Sequence, residues 1–350
     1  MTNETEATPP SSPGQTSLAS HHKPHITWSD TYTKSIHAID SLSAILPSLL
    51  PSSLSFSESP ATALLHNSQV STSVSSFLHR PGSGSADDPL CAWLYDTFHS
   101  SSPELHLVVL RFLPALTAAY LSRTALHQPL AGFESVFLAI YSHETTARGG
   151  QAITASIPDM AHRSVYHEAI KQAEAKNGST ELHLAVISPS LEPHGTVRST
   201  RRAKIVGVAM ELYYNKIYQI PVESRIEFCH FCKIWSGQDD SDDVNNTEGQ
   251  DMEETNQEKR RKWRMNMPWE VLQPMLRILG HCLMGPEKNE ELFQAALVAC
   301  RCMLARAMRD INPKAILAMT SLVELAERAM DTSVEVVDHT DITMSNVITI

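Results

Sequence analysis

The pattern with the most catalytic promise is Asp239-Asp-Ser-Asp-Asp243. Carboxylates at this spacing, carried on a helix that lines an apolar cavity, hold magnesium against a diphosphate in all-helical prenyl and terpene synthases. Here they lie among Asp, Asn, Gly and Gln with no hydrophobic stripe. That composition favours a solvated acidic loop. A magnesium-dependent prenyl-type enzyme stands as the alternative from another functional class.

Cys229-His-Phe-Cys232 is a lone CxxC, and a structural zinc site needs four ligands. No second pair occurs at a matching spacing, and the side chains of Cys300-Arg-Cys302 point apart on a helix. Spacing of three puts Cys229 and Cys232 on one helical face beside Ile226, which reads as buried core. His143-Glu144 and His167-Glu168 begin like a zincin helix, but the fourth residue after each His is Ala147 or Lys171. The sequence carries no phosphate-binding Gly-rich loop, dinucleotide fingerprint or nucleophile elbow. No catalytic residue, metal site or cofactor is expected. One basic group remains: Arg198, Arg201, Arg202 and Lys204 sit at the start of a predicted helix, where the dipole favours anions. They read either as a solvated terminus or as a contact for an acidic partner or anionic lipid, which would make a peripheral lipid-binding module.

The elements that must position these groups are helical. Leu, Ala and Met are frequent while only 13 of 350 residues are Gly, a balance that favours helices over a turn-rich sandwich. Amphipathic runs are expected over 29–50 and 61–79, and others start at Asp88-Pro89, Ser102-Pro103, Pro268 and Asn312-Pro313. Helices are also expected over 200–218, 222–235 and 290–308, the last packing between neighbours. In the final helix Ile316, Met319, Val323, Ala326 and Met330 form one stripe. The apolar stretch 105–121 contains His106, Arg111 and Pro114, so a buried helix is a better reading than a membrane span. Residues 153–156 and 181–187 have a strand-like character. The fold class is therefore mostly all-α: a bundle of stacked antiparallel helix pairs with a small irregular or two-stranded insert near 150–190.

Charge and composition divide the chain further. The formal net charge is -11, but residues 239–258 hold nine acids and no Lys or Arg. Setting aside that run and four acids in 331–350 leaves the rest near neutral, which disfavours nucleic acid as a partner. The expected organisation is a disordered Ser/Pro-rich segment over 1–26, a helical body over 27–236, an acidic-then-basic loop over 237–264, further helices of the same body over 265–330, and a flexible tail over 331–350. Six cysteines are too sparse for a disulfide scaffold, and no signal peptide or lipidation motif is read, so a cytosolic protein is expected.

Ile157-Pro158 followed by Ser164-Val165-Tyr166-His167-Glu168 is similar to the IP…SVYHE segment of the hyccin family, and several motifs together resemble that family. Phe112-Leu113-Pro114 with Leu116, Tyr120 and Leu121 is similar to its FLP-x-L…YL helix, and Tyr214-Asn215, Pro221 and Cys229-x-x-Cys232 match a third block. The resemblance covers roughly residues 76–330 and brings no catalytic or metal site. It implies a non-catalytic scaffold or stabilising subunit of the type III alpha phosphatidylinositol 4-kinase complex, supporting phosphatidylinositol 4-phosphate synthesis. The partners it implies are that kinase, a tetratricopeptide-repeat scaffold and a membrane-anchored recruiting subunit, with the chain recruited peripherally to the plasma membrane. Within that reading Ile157, Pro158, Val165, Tyr166 and His167 are candidate partner contacts, because Pro158 holds the segment extended and Tyr is a frequent interface anchor. The same side chains could instead fold back to pin the segment on the helical body.

Overall fold

Asp88 shows how the helices begin. Its Oδ1 accepts the Leu90 N–H at 2.9 Å while its Oδ2 accepts the Gly84 N–H at 2.7 Å, and Pro89 occupies the first helical turn where no N–H is needed. The computed structural model describes residues 28–46, 54, 56–158, 182–193, 201–237 and 268–332. The helices are α1 (Trp28–Ile45), α2 (Pro60–His66), α3 (Ser68–Leu78), α4 (Pro89–His99), α5 (Pro103–Arg111), α6 (Leu113–Ala125) and α7 (Ala131–Arg148). An antiparallel pair, β1 (Ile153–Pro158) and β2 (Leu182–Ser188), comes next. The remaining helices are α8 (Arg202–Asn215), α9 (Val222–Trp235), α10 (Trp269–Met284), α11 (Glu290–Arg309) and α12 (Pro313–Thr332). The mostly helical class with a small two-stranded insert is as expected.

Several expected helices are shorter or divided. The run 61–79 breaks at Asn67, whose Oδ1 accepts the Val70 N–H at 2.9 Å and so caps α3. The stretch 105–121 bends by 50° between α5 and α6. Pro114 has no N–H to give the preceding turn, and its ring crowds the carbonyl four residues back, so one straight helix cannot form. No single helix among the described residues is long and apolar enough to cross a membrane. Asn312 caps α12 through the Ala315 N–H at 3.2 Å, whereas the Ser102 hydroxyl is buried and caps nothing. Pro268 precedes α10 instead of entering it. The first helix stops at Ile45, and the run over 200–218 becomes α8 plus a single 3-10 turn, Ile217–Gln219.

One chain of packing runs α4–α7–α8–α10, and a second runs α6–α9–α11–α12; α1, α2 and α5 close one end. A single cluster of buried apolar residues reaches from Ala38 to Ala326. Close approach sets some of these contacts: a Cβ at Gly207 of α8 would collide with the Glu270 carbonyl oxygen of α10. Pro274, inside α10, gives that carbonyl no helical N–H, so the two helices meet where the backbone is already irregular. As expected, α11 packs between α9, α10 and α12. In α12, Ala315, Met319 and Ala326 are fully buried and Ile316 and Val323 half-buried, but Met330 is exposed. The stripe of the final helix therefore frays over its last turn.

Candidate functional site

The insert between α7 and α8 is held at its base by a buried ionic cluster. Helix α7 ends at Gly149 and Gly150, both at positive φ, which lets the chain reverse without a Cβ clash. Leu191 N–H then bonds the Gly150 carbonyl at 2.9 Å and closes the neck of the insert. Beside it, the Arg148 guanidinium donates to Glu144 Oε2 at 2.8 Å, Ser188 Oγ at 2.9 Å and Glu211 Oε2 at 3.1 Å. Arg277 of α10 donates to the other Glu211 oxygen at 3.3 Å and lies over the Tyr214 ring. Two carboxylates thus balance two guanidiniums in a site where Glu144 and Glu211 are buried. Burial alone would raise the Glu144 pKa. The adjacent His143 and Arg148 outweigh it and hold the carboxyl below its usual range.

The register places each strand residue on a face. Thr154 pairs with Val186 and Ser156 with Leu184, and these four share one face. Ile157, Ala155 and Ala185 lie on the other. The pairing slips between Ile153 and Thr154, so Ile187 bulges, and its carbonyl accepts the Gln273 Nε2 proton from α10 at 2.9 Å. The base is therefore fixed to α7, α8 and α10, while the far part stands clear. Leu184 is 69% exposed, Val186 59% and Ile157 48%. No third strand joins the pair among the described residues.

The basic group meets acids of its own chain. Arg201 and Lys204 both pair with Glu192, Lys204 at 3.5 Å, and Arg202 pairs with Glu134 at 3.3 Å. Glu192 is itself set by its N–H, which bonds Tyr141 Oη at 3.1 Å. These three cations are thus partly neutralised before any partner arrives. Arg198, Val165, Tyr166, His167 and the Asp239–Asp243 motif lie outside the described residues. Pro158 ends β1, opposite Leu182. The structure brings Ile157 and Pro158 into one strand, as the extended reading requires, and adds Leu184 and Val186, which the sequence did not single out.

The cysteines are buried, as expected. Cys229 and Cys232 of α9 face Cys282 of α10 and Cys300 of α11 in the core. The Cys282 thiol beside Cys229, and then burial, push the Cys229 pKa up; burial takes Cys300 to about 12. The Cys229, Cys232 and Cys300 thiols therefore stay protonated at neutral pH. Among the described residues no three His, Cys, Asp or Glu side chains are arranged to hold a metal ion.

The arrangement is one of supports and exposed apolar side chains, with no nucleophile and base brought together by the bonds described above. The comparison with known families agrees with the motif resemblance: the hyccin family model matches residues 55–349. The chain belongs to the hyccin family. The match is longer than the quoted motifs suggested. It takes in α2 and the whole insert, and leaves α1 outside. Within the match, Ile157-Pro158 end β1, Phe112-Leu113-Pro114 lie at the α5–α6 bend, and Cys229 and Cys232 lie on the buried face of α9. These three stretches thereby have a structural place, a strand end, a helix break and a core contact, while Ser164 to Glu168 lie outside the described residues.

Proposed function

We propose that this chain is a non-catalytic subunit of a phosphatidylinositol 4-kinase complex, binding a tetratricopeptide-repeat scaffold and supporting phosphatidylinositol 4-phosphate synthesis at the plasma membrane. The observation that carries the reading is the hyccin match over residues 55–349, since hyccins are subunits that lend no chemistry of their own. The kinase makes the product; this chain holds the assembly together. A protruding insert with a braced base suits that role, and Ile157 and Pro158 belong to its partner contacts. A membrane-anchored subunit recruits the assembly, so the chain itself is cytosolic and reaches the membrane peripherally. The intrachain pairing of Arg201, Arg202 and Lys204 weakens direct attraction to anionic lipid, because Glu192 and Glu134 offset two of the three charges.

Affinity purification of the tagged chain, followed by mass spectrometry, tests the reading. A lipid kinase and a tetratricopeptide-repeat protein are expected in the eluate. Their absence, with magnesium-dependent prenyl diphosphate turnover lost on changing Asp239–Asp243 to Asn, would favour the enzyme instead.

A further inference from the structure

The apolar side chains on the insert need a cover that no described residue of their own chain supplies. Leu184 and Val186 stand on one face with Thr154 and Ser156, and Ile157 emerges on the opposite face, where Ala155 and Ala185 are half-buried. The six residues of β1 and seven of β2 include no Asp, Glu, Lys or Arg. Charges and inward-pointing ionic groups are the usual protection of a free strand, so their lack here is a liability unless a partner covers it. A lone two-stranded hairpin is also marginal by itself. The Arg148–Glu211–Arg277 cluster and the Gln273 bond to Ile187 hold this one rigidly at its base.

From these observations we infer that the β1–β2 hairpin is a plug that enters a neutral, apolar cleft on the partner subunit, with Leu184 and Val186 against one wall and Ile157 against the other. This rests on the reading of the chain as a complex subunit, and adds where and how it docks. The occupant follows from geometry and charge. A second copy laid face to face would cover only one side. A strand pair about 20 Å long and 10 Å wide offers on the order of 200 Å² per face, so two copies would bury about 400 Å² in total, against about 800 Å² for a cleft covering both faces and roughly 1,000 Å² for a stable interface. An anionic membrane would favour free cations near the hairpin, yet Glu192 offsets one of the two charges of Arg201 and Lys204, and neither strand carries any. A concave protein surface covers both faces and needs no counter-charge.

The test uses the full chain co-expressed with the tetratricopeptide-repeat scaffold and the kinase. Two variants are compared with wild type: Leu184→Asp combined with Val186→Asp, and Ser156→Lys alone, which adds a charge to the same face at a polar, exposed position. Each should melt like wild type, because the altered side chains are exposed. Each should weaken scaffold binding at least about tenfold. Wild-type binding should change less than about twofold between roughly 0.1 and 0.5 M salt, since no charge pair is screened. Wild-type binding with both variants also bound at full strength overturns the plug and leaves the subunit reading intact. Failure of wild type to bind the scaffold removes that reading and the plug with it. Sedimentation showing a wild-type dimer that the variants abolish, or pelleting of the wild type alone with phosphatidylcholine vesicles, assigns the hairpin to another occupant and also overturns the plug.

Discussion

Arg148 Nη1 bonds Ser188 Oγ at 2.9 Å across 40 positions of sequence, tying the last turn of α7 to the last residue of β2. The same guanidinium spans Glu144 and Glu211, so one side chain sets the direction in which the hairpin leaves the helical body. Rigidity at the base and exposure at the far end have one cause.

Replacing Arg148 by Ala leaves the Glu144 and Glu211 carboxylates buried, with Arg277 facing only Glu211 and the His143 imidazole beside Glu144. Breaking a buried pair from one side costs about 3–5 kcal/mol. Thermal or urea unfolding should show a loss of that size. Amide exchange over 153–158 and 182–188 should quicken under native conditions, because the neck of the hairpin is released. Unchanged exchange would detach the cluster from the hairpin.

Arg111 behaves in the opposite sense. Its side chain is fully buried, and none of its three guanidinium nitrogens has a hydrogen-bond partner among the described residues. Burial lowers its pKa, with Glu223 and Glu227 acting only at longer range. Arg111→Met keeps the volume and removes the unsatisfied donors, so unfolding free energy should rise by about 1–3 kcal/mol. A clear loss of stability on denaturant titration would mean that the guanidinium has a partner after all.

His106 gives the stability a defined acid limb. Burial, and then the neighbouring His143 imidazole, push its pKa down to about 4 from 6.5. Below pH 6.5 the unfolded chain takes up a proton that the folded chain refuses until about pH 4. Stability from this group is therefore constant above 6.5 and falls as pH drops between those values, at up to about 1.4 kcal/mol per pH unit. Glu144, whose carboxyl is held low, adds its own loss only below the usual carboxylate range. His106→Leu should flatten the curve between pH 6.5 and 4.5, as read from denaturant midpoints; an unaltered slope would exclude His106 as its source.

Gly207→Ala tests the α8–α10 contact. The added methyl meets the Glu270 carbonyl oxygen, so the helices must part or the backbone shift. Overpacking of this kind costs about 1–3 kcal/mol. A melting temperature equal to wild type would show that α10 yields freely at Pro274.

Local signals were legible in the sequence. Asp88-Pro89 and Asn312-Pro313 start helices where expected, because a cap and its proline act within one turn. The expected stretches 153–156 and 181–187 overlap the observed strands, Ile153–Pro158 and Leu182–Ser188, since a partly alternating strand pattern is a neighbour effect. The break at Asn67 was missed inside an amphipathic run that continues on both sides of it. The Arg148 cluster was not legible at all: its bonds cross 63 and 66 positions, and nothing in a short window links Arg148 to Glu211 or Glu211 to Arg277. Leu184 and Val186 were hidden for another reason. Leu182-His-Leu-Ala-Val-Ile-Ser188 has apolar residues at both parities, so its pattern cannot say which face meets the body.

The central claim is membership of a lipid-kinase assembly, and size-exclusion chromatography with light scattering tests it most directly. When the chain is co-expressed with the tetratricopeptide-repeat scaffold and the phosphatidylinositol 4-kinase, all three should elute as one species, with this chain in fixed proportion to the kinase. Elution of the chain alone at its 38.7 kDa monomer mass, with scaffold and kinase together in a separate peak, would contradict the account.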